Sequence, residues 1–206
     1  MASLSFIRRD FDVFAVDGFS ARLAKIYEHI RPRLVRLGAE LTPELSRRLR
    51  TEFFPHVAKH MRRNVNPPAE TWTAWGPSAK GYKRYPYLAL CISGAGIHAR
   101  AIVKAEAEHR AEMGRRIKAS ASALEKSFRG SKIQRYEKWD FMSLPKPVVA
   151  DAEMFIALGA ALEEKSGAID VGFGWPWRDA IGLDRNEVLD AFGELGPLYG
   201  VLCAAS

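Results

Sequence analysis

The spacing of apolar residues switches near Thr71 from helical to alternating, and this switch constrains the fold more than any other feature of the chain. Before it, Phe19, Leu23, Ile26, Tyr27, Ile30, Leu34 and Leu37 recur at helical spacing. They predict a helix over 20–37, bent at Pro32 and stopped by Gly38. Thr42-Pro43-Glu44-Leu45 reads as the start of a second helix, with threonine as cap and proline at the first helical position. That helix carries Leu45, Leu49 and Phe53 inward; Pro55 either kinks it or opens a short helix reaching Arg63, and Pro67-Pro68 ends it. After the switch, 71–75, 82–93 and 97–106 read as strands joined by 76–81 and by Gly94-Ala95-Gly96. Connections this short force antiparallel neighbours, so the three form a meander. A solvent-facing helix over 107–128, a strand at 133–142, a helix at 147–165, a strand at 169–177 and a last helix capped by Asp184 complete the reading. The expectation is one α+β domain over 1–206, a largely antiparallel sheet centred on the 71–106 meander and flanked by helices.

The length of 206 residues suits one sizeable core. A hydrophobic fraction of 48% and a charged fraction of 27% are those of a globular protein, and no apolar run approaches the roughly 18 residues of a membrane span. The first ten residues lack the apolar segment of a signal peptide, so the expected location is the cytoplasm, with no membrane partner. Cys91 and Cys203 are too few for a disulfide framework and lack metal-ligand spacing. The net charge of +7 is unevenly spread: 1–135 holds 26 Lys and Arg against 12 Asp and Glu, and 136–206 holds 5 against 12. A basic body attracts anionic partners; equally, the two parts complement each other within one fold.

The densest chemistry lies between His56 and Arg84. Two histidines, six lysines and arginines, two asparagines and two tryptophans occur there, with Glu70 the only acid. On a helix, His56, Lys59, His60 and Arg63 fall at i, i+3, i+4 and i+7 and share one face. Histidines at i and i+4 can chelate zinc, but no carboxylate lies between these two and the adjacent cations repel a dication, so no metal is expected. The same cations favour a phosphate or carboxylate. Asn66 lies in the Asn-Val-Asn-Pro-Pro loop, where it terminates a helix or touches ligand. Trp72 and Trp75 point to opposite faces of a strand, so one belongs to the core and the other can offer a stacking wall. Lys80, Tyr82 and Lys83 stand on a hairpin tip or strand start.

The string His56-Val-Ala-Lys-His-Met-Arg-Arg-Asn-Val-Asn-Pro-Pro68, followed by Thr71-Trp72 and Gly81-Tyr82-Lys83, resembles the YktB-like family of uncharacterised bacterial proteins. Phe11–Gly18, Arg31-Pro-Arg-Leu34 and Pro197-Leu-Tyr199 are similar to that family as well, and the chain departs from it after Leu90. The resemblance covers the first hundred residues best. It implies a compact α+β fold in a cytoplasmic bacterial protein and no established activity.

No dinucleotide fingerprint, phosphate-binding loop or nucleophile elbow is present, and no cofactor is expected; Gly172-Phe-Gly-Trp-Pro-Trp177 lacks the βαβ context. The leading expectation is an anion-binding domain contacting RNA or another phosphate-bearing ligand. His56, Lys59, His60, Arg63, Asn66, Lys80, Tyr82 and Lys83 are the candidate ligand-binding residues, with Trp72 or Trp75 as stacking wall. The rival is a small-molecule enzyme using His56 or His60 as general acid/base and Arg63 as anion clamp. A third reading is a structural protein whose basic block meets its own acidic C-terminal part.

Overall fold

The computed structural model describes residues 3–61 and 65–204. Its centre is a seven-stranded sheet in the order β1-β2-β3-β4-β7-β5-β6, with every neighbouring pair antiparallel. The strands are β1 (Phe54–Val57), β2 (Glu70–Gly76), β3 (Tyr87–Ser93), β4 (Gly96–Val103), β5 (Lys132–Arg135), β6 (Val148–Val149) and β7 (Ile169–Pro176). The expected meander is β2-β3-β4, with Trp72 opposite Cys91 and Cys91 opposite His98. The protein is therefore a single α+β domain with an antiparallel sheet.

Alternation decides what each sheet face buries. Trp75, Leu88, Leu90, Ile92, Ile97, Ala99, Ala101, Val103, Ile169 and Val171 face the main core. Helices α1 (Arg8–Asp12), α2 (Phe19–Lys25) and α7 (Trp177–Ala180) are short. Above the sheet pack α3 (Arg31–Leu49), α4 (Arg110–Ala119), α5 (Ala121–Phe128), α6 (Ala152–Glu163) and α8 (Arg185–Cys203), which contribute Leu34, Leu41, Ile117, Phe155, Phe192 and Leu195 among others. The opposite face carries a smaller apolar cluster of Ala74, Tyr87, Ala89, Cys91 and Ile102, with Trp72 and Tyr82 against it. It is otherwise polar.

Three expectations are corrected. Gly38 does not stop the first helix and no second one starts at Thr42: α3 runs through Gly38 and Thr42-Pro43 to Leu49, and ends at Arg50 in the left-handed conformation. Gly38 is there because the sheet comes close, since a Cβ on it would lie 2.9 Å from Thr73 Oγ1. Its carbonyl accepts from Thr42 Oγ1 at 2.5 Å and from Trp75 Nε1 at 3.2 Å. The expected helix does not form over the described residues 53–61. Phe54–Val57 is instead an edge strand paired with Thr73–Gly76, and His60 sits in a turn with φ of 51°. Third, 107–128 is two helices broken at Ser120 and only partly solvent-facing, because Met113, Ile117, Leu124 and Phe128 are buried. The strands over 82–93 and 133–142 are shorter than expected and begin or end as loops.

The basic body and acidic C-terminal part do pair within the fold. Arg48 meets Asp190 at 2.6 Å, Lys118 meets Glu163 at 2.7 Å, and Lys104 meets Asp170 at 3.6 Å. No helix among the described residues is long and apolar enough to cross a membrane.

Candidate functional site: a lysine-rimmed cleft with an aromatic wall

A cleft of about 1090 Å³ opens where the β1 edge, the N-terminal part of α3, the 77–86 connection and the turn after β4 converge. His56, Lys59, His60, Trp72, Lys80, Tyr82 and Lys83 all line it. One reason is the register: His56 opposes Ala74, so its side chain projects on the same sheet face as Trp72. A second is that Gly76 lets the connection fold back, because a Cβ there would lie 2.7 Å from Tyr82 Cβ.

The wall is a joined aromatic surface. Trp72 Nε1 donates to the Tyr82 hydroxyl at 2.9 Å. The Tyr82 ring lies 5.1 Å from His56 and 4.7 Å from the buried Tyr87, while His60 packs edge-on to Trp72 at 5.4 Å. Burial raises the phenol pKa of Tyr82 despite the Trp72 hydrogen bond, so the hydroxyl stays neutral. His56 Nε2 donates to the Ser78 carbonyl at 2.8 Å, and His60 Nε2 lies 3.1 Å from Thr71 Oγ1. The two histidines thus brace the wall from β1 and from the turn after it, rather than from one helical face.

The floor beside α3 is held by backbone contacts. Arg31 donates to the Ala58 carbonyl at 2.6 Å, and the Tyr27 hydroxyl to the Lys59 carbonyl at 2.8 Å. At the far rim, Arg84 is committed to Glu108. Lys59, Lys80 and Lys83 are exposed, and among the described residues none of them has an ion-pair partner. They are cations available at the cleft rim.

Two candidates fall elsewhere. Trp75 is fully buried on the opposite face, where Nε1 also donates to Thr42 Oγ1 at 2.9 Å and the ring meets Phe192 at 5.5 Å; it is core, and Trp72 is the wall. Asn66 is exposed in the loop before β2, away from the cleft lining. Arg63 lies outside the described residues.

Sequence reasoning missed a buried polar cluster behind the wall. Arg100, 1% exposed, donates to Glu70, to Asp170 Oδ2 at 3.2 Å and to Cys91 Sγ at 3.3 Å, with Tyr136 stacked 4.9 Å away. Burial pushes the Asp170 carboxyl up to about 6 although Arg100 and Lys104 oppose the shift, and it pushes the Cys91 thiol up to about 12. Further along, Ser93 Oγ lies 2.9 Å from His98 Nε2, under the rings of Tyr136 and Trp139. The available signal was alternation: His98 and Arg100 interrupt an apolar strand at every second position, which places both on one buried face.

Comparison with known proteins places this geometry in a family. Residues 6–199 match the family described as a domain of unknown function, DUF1054. The chain belongs to that family. A UPF0637 protein of Bacillus velezensis is 31% identical over 97% of both chains. Similar UPF0637 proteins of Lysinibacillus sphaericus and Bacillus cereus are 35% identical over 61% of this chain and 59% of theirs, and 43% identical over 46% and 45%, respectively. The resemblance to an uncharacterised bacterial family thus holds across almost the whole chain.

Proposed function

We propose that the cleft binds a phosphate-bearing ligand with a planar part, taken from a free nucleotide or from a stretch of single-stranded RNA. The observation that carries the reading is the presence, in one concavity, of three lysines with no ion-pair partner among the described residues and the Trp72–Tyr82–His56 aromatic wall. Lysines give phosphate affinity without sequence reading, and an aromatic face stacks any base. A volume near 1090 Å³ lies just above the usual range of small-ligand sites and leaves room for more than one nucleotide. Binding is favoured over acid–base chemistry because His56 and His60 each engage Nε2 with a protein partner.

The test is titration of the protein with oligouridylate and with uridine monophosphate across a salt series. If the three lysines engage a single strand, log Kd against log salt has a slope of about 2 in magnitude, and Lys80→Ala with Lys83→Ala lowers it by roughly 0.7 per lysine. Mononucleotide binding without a gain for the oligomer assigns the cleft to a small ligand. A slope near zero, or no binding of either probe at low salt, would overturn the proposal.

A further inference from the structure

The cleft is not uniformly basic. Glu106, in the turn after β4, lines it together with Lys80, Lys83 and Tyr82, is exposed, and has no ion-pair partner among the described residues. Its near neighbour Glu108 behaves differently, being bonded to Arg84 through its side chain and to the Arg84 carbonyl through its N–H at 3.0 Å. Glu106 lies close enough to Tyr82 for its charge to raise the phenol pKa. Among the described residues, one concavity therefore holds three exposed lysines and an exposed carboxylate with no ion pair between them. For a ligand made only of anionic oxygens, such a carboxylate is repulsive. For a ligand with phosphate at one end and hydrogen-bond donors at the other, it completes the match, since an ionised carboxylate is an acceptor only.

Resting on the reading of the cleft as a phosphate site, we propose that Glu106 is its specificity-determining residue. It accepts hydrogen bonds from ribose hydroxyls or base N–H groups, and so selects nucleotides over inorganic polyphosphates. A site built around a polar group rejects ligands that leave that group unpaired far more strongly than it rejects differences in size.

Glu106→Gln is nearly isosteric, and the side chain is exposed and unpaired, so the variant is expected to fold with an unchanged melting curve. Calorimetric titration would compare pyrophosphate, guanosine monophosphate, its deoxy form and adenosine monophosphate on the native protein and this variant. The native protein is expected to prefer the nucleotides, and the variant to lose roughly tenfold or more of that preference, with pyrophosphate binding strengthened. A collapse of the ribose-to-deoxyribose ratio assigns Glu106 to a hydroxyl, and a collapse of the guanine-to-adenine ratio assigns it to the base edge. If the native protein binds pyrophosphate and nucleotides but the variant keeps the same ratio, Glu106 has no such role and the cleft reading stands. If the native protein binds none of the four, the assignment of Glu106 falls, and the oligouridylate titration decides the cleft reading separately.

Discussion

Trp72 and Tyr82 meet across the cleft wall, the indole Nε1 donating to the tyrosine hydroxyl at 2.9 Å. This bond ties the 77–86 connection to the sheet and fixes the orientation of both rings. It also satisfies the polar atoms of two half-buried side chains on the smaller apolar cluster.

Tyr82→Phe keeps the ring contacts and removes only the hydroxyl. The indole N–H then lacks its partner, and a loss of about 1 kcal/mol in urea-denaturation stability is expected. A variant as stable as the native chain would show that the bond contributes nothing net.

The two tryptophans should separate cleanly by assay. Trp75→Ala empties a site in the main core and leaves Phe192 and Thr42 without their partner, for an expected loss of roughly 3–5 kcal/mol. Trp72→Ala should cost less stability but remove the stacking wall, weakening oligouridylate binding by roughly 1–3 kcal/mol per stacked base. Equal effects of both changes on binding at matched folded fraction would refute the assignment of Trp72 as the wall.

Arg100 holds two carboxylates, and removing it alone takes the cation from Glu70 and leaves Asp170 with Lys104, 3.6 Å away. Arg100→Met is expected to lower stability by roughly 3–5 kcal/mol, because Glu70 and Asp170 lose their shared cation in a buried setting. Adding Glu70→Gln and Asp170→Asn should recover most of that loss, since the penalty lies in the unpaired charge. Denaturant titration of the single and triple variants decides the matter, and a triple variant no better than the single would argue for packing instead.

Asp170 should leave a pH signature. Its folded pKa of about 6 stands above the ordinary value of 3.8, because burial outweighs the pull of Arg100 and Lys104. Between those values the native state binds more protons than the unfolded state, so this group's stabilisation is complete below the unfolded pKa and declines as pH rises through about 6. Each pH unit of displacement corresponds to about 1.4 kcal/mol. Denaturation from pH 4 to 7 should show the native protein losing stability relative to Asp170→Asn, and parallel profiles would contradict the assignment.

Local pattern alone determined the switch from helical to alternating period, the antiparallel β2-β3-β4 meander, the single α+β domain and the Asp184-capped last helix. These depend on neighbours a few residues away, which a sequence displays directly. The gathering of most cleft residues was also legible, because they lie close together in the chain. What only the tertiary structure decided depends on distant partners. Phe54-Pro-His-Val57 becomes a strand because β2 offers it a pairing edge, and that places His56 beside Trp72 rather than on a helix with His60. The α3 helix passes through Gly38 and Thr42-Pro43 because Trp75 and Thr73 pack against it there, so a residue that reads as a stop serves as a contact. Arg100, Glu70 and Asp170 come from three strands, and nothing local marks them as partners. The antiparallel register of β4 with β7 sets Arg100 and Asp170 on one buried face, where pairing is the only low-energy arrangement for their charges.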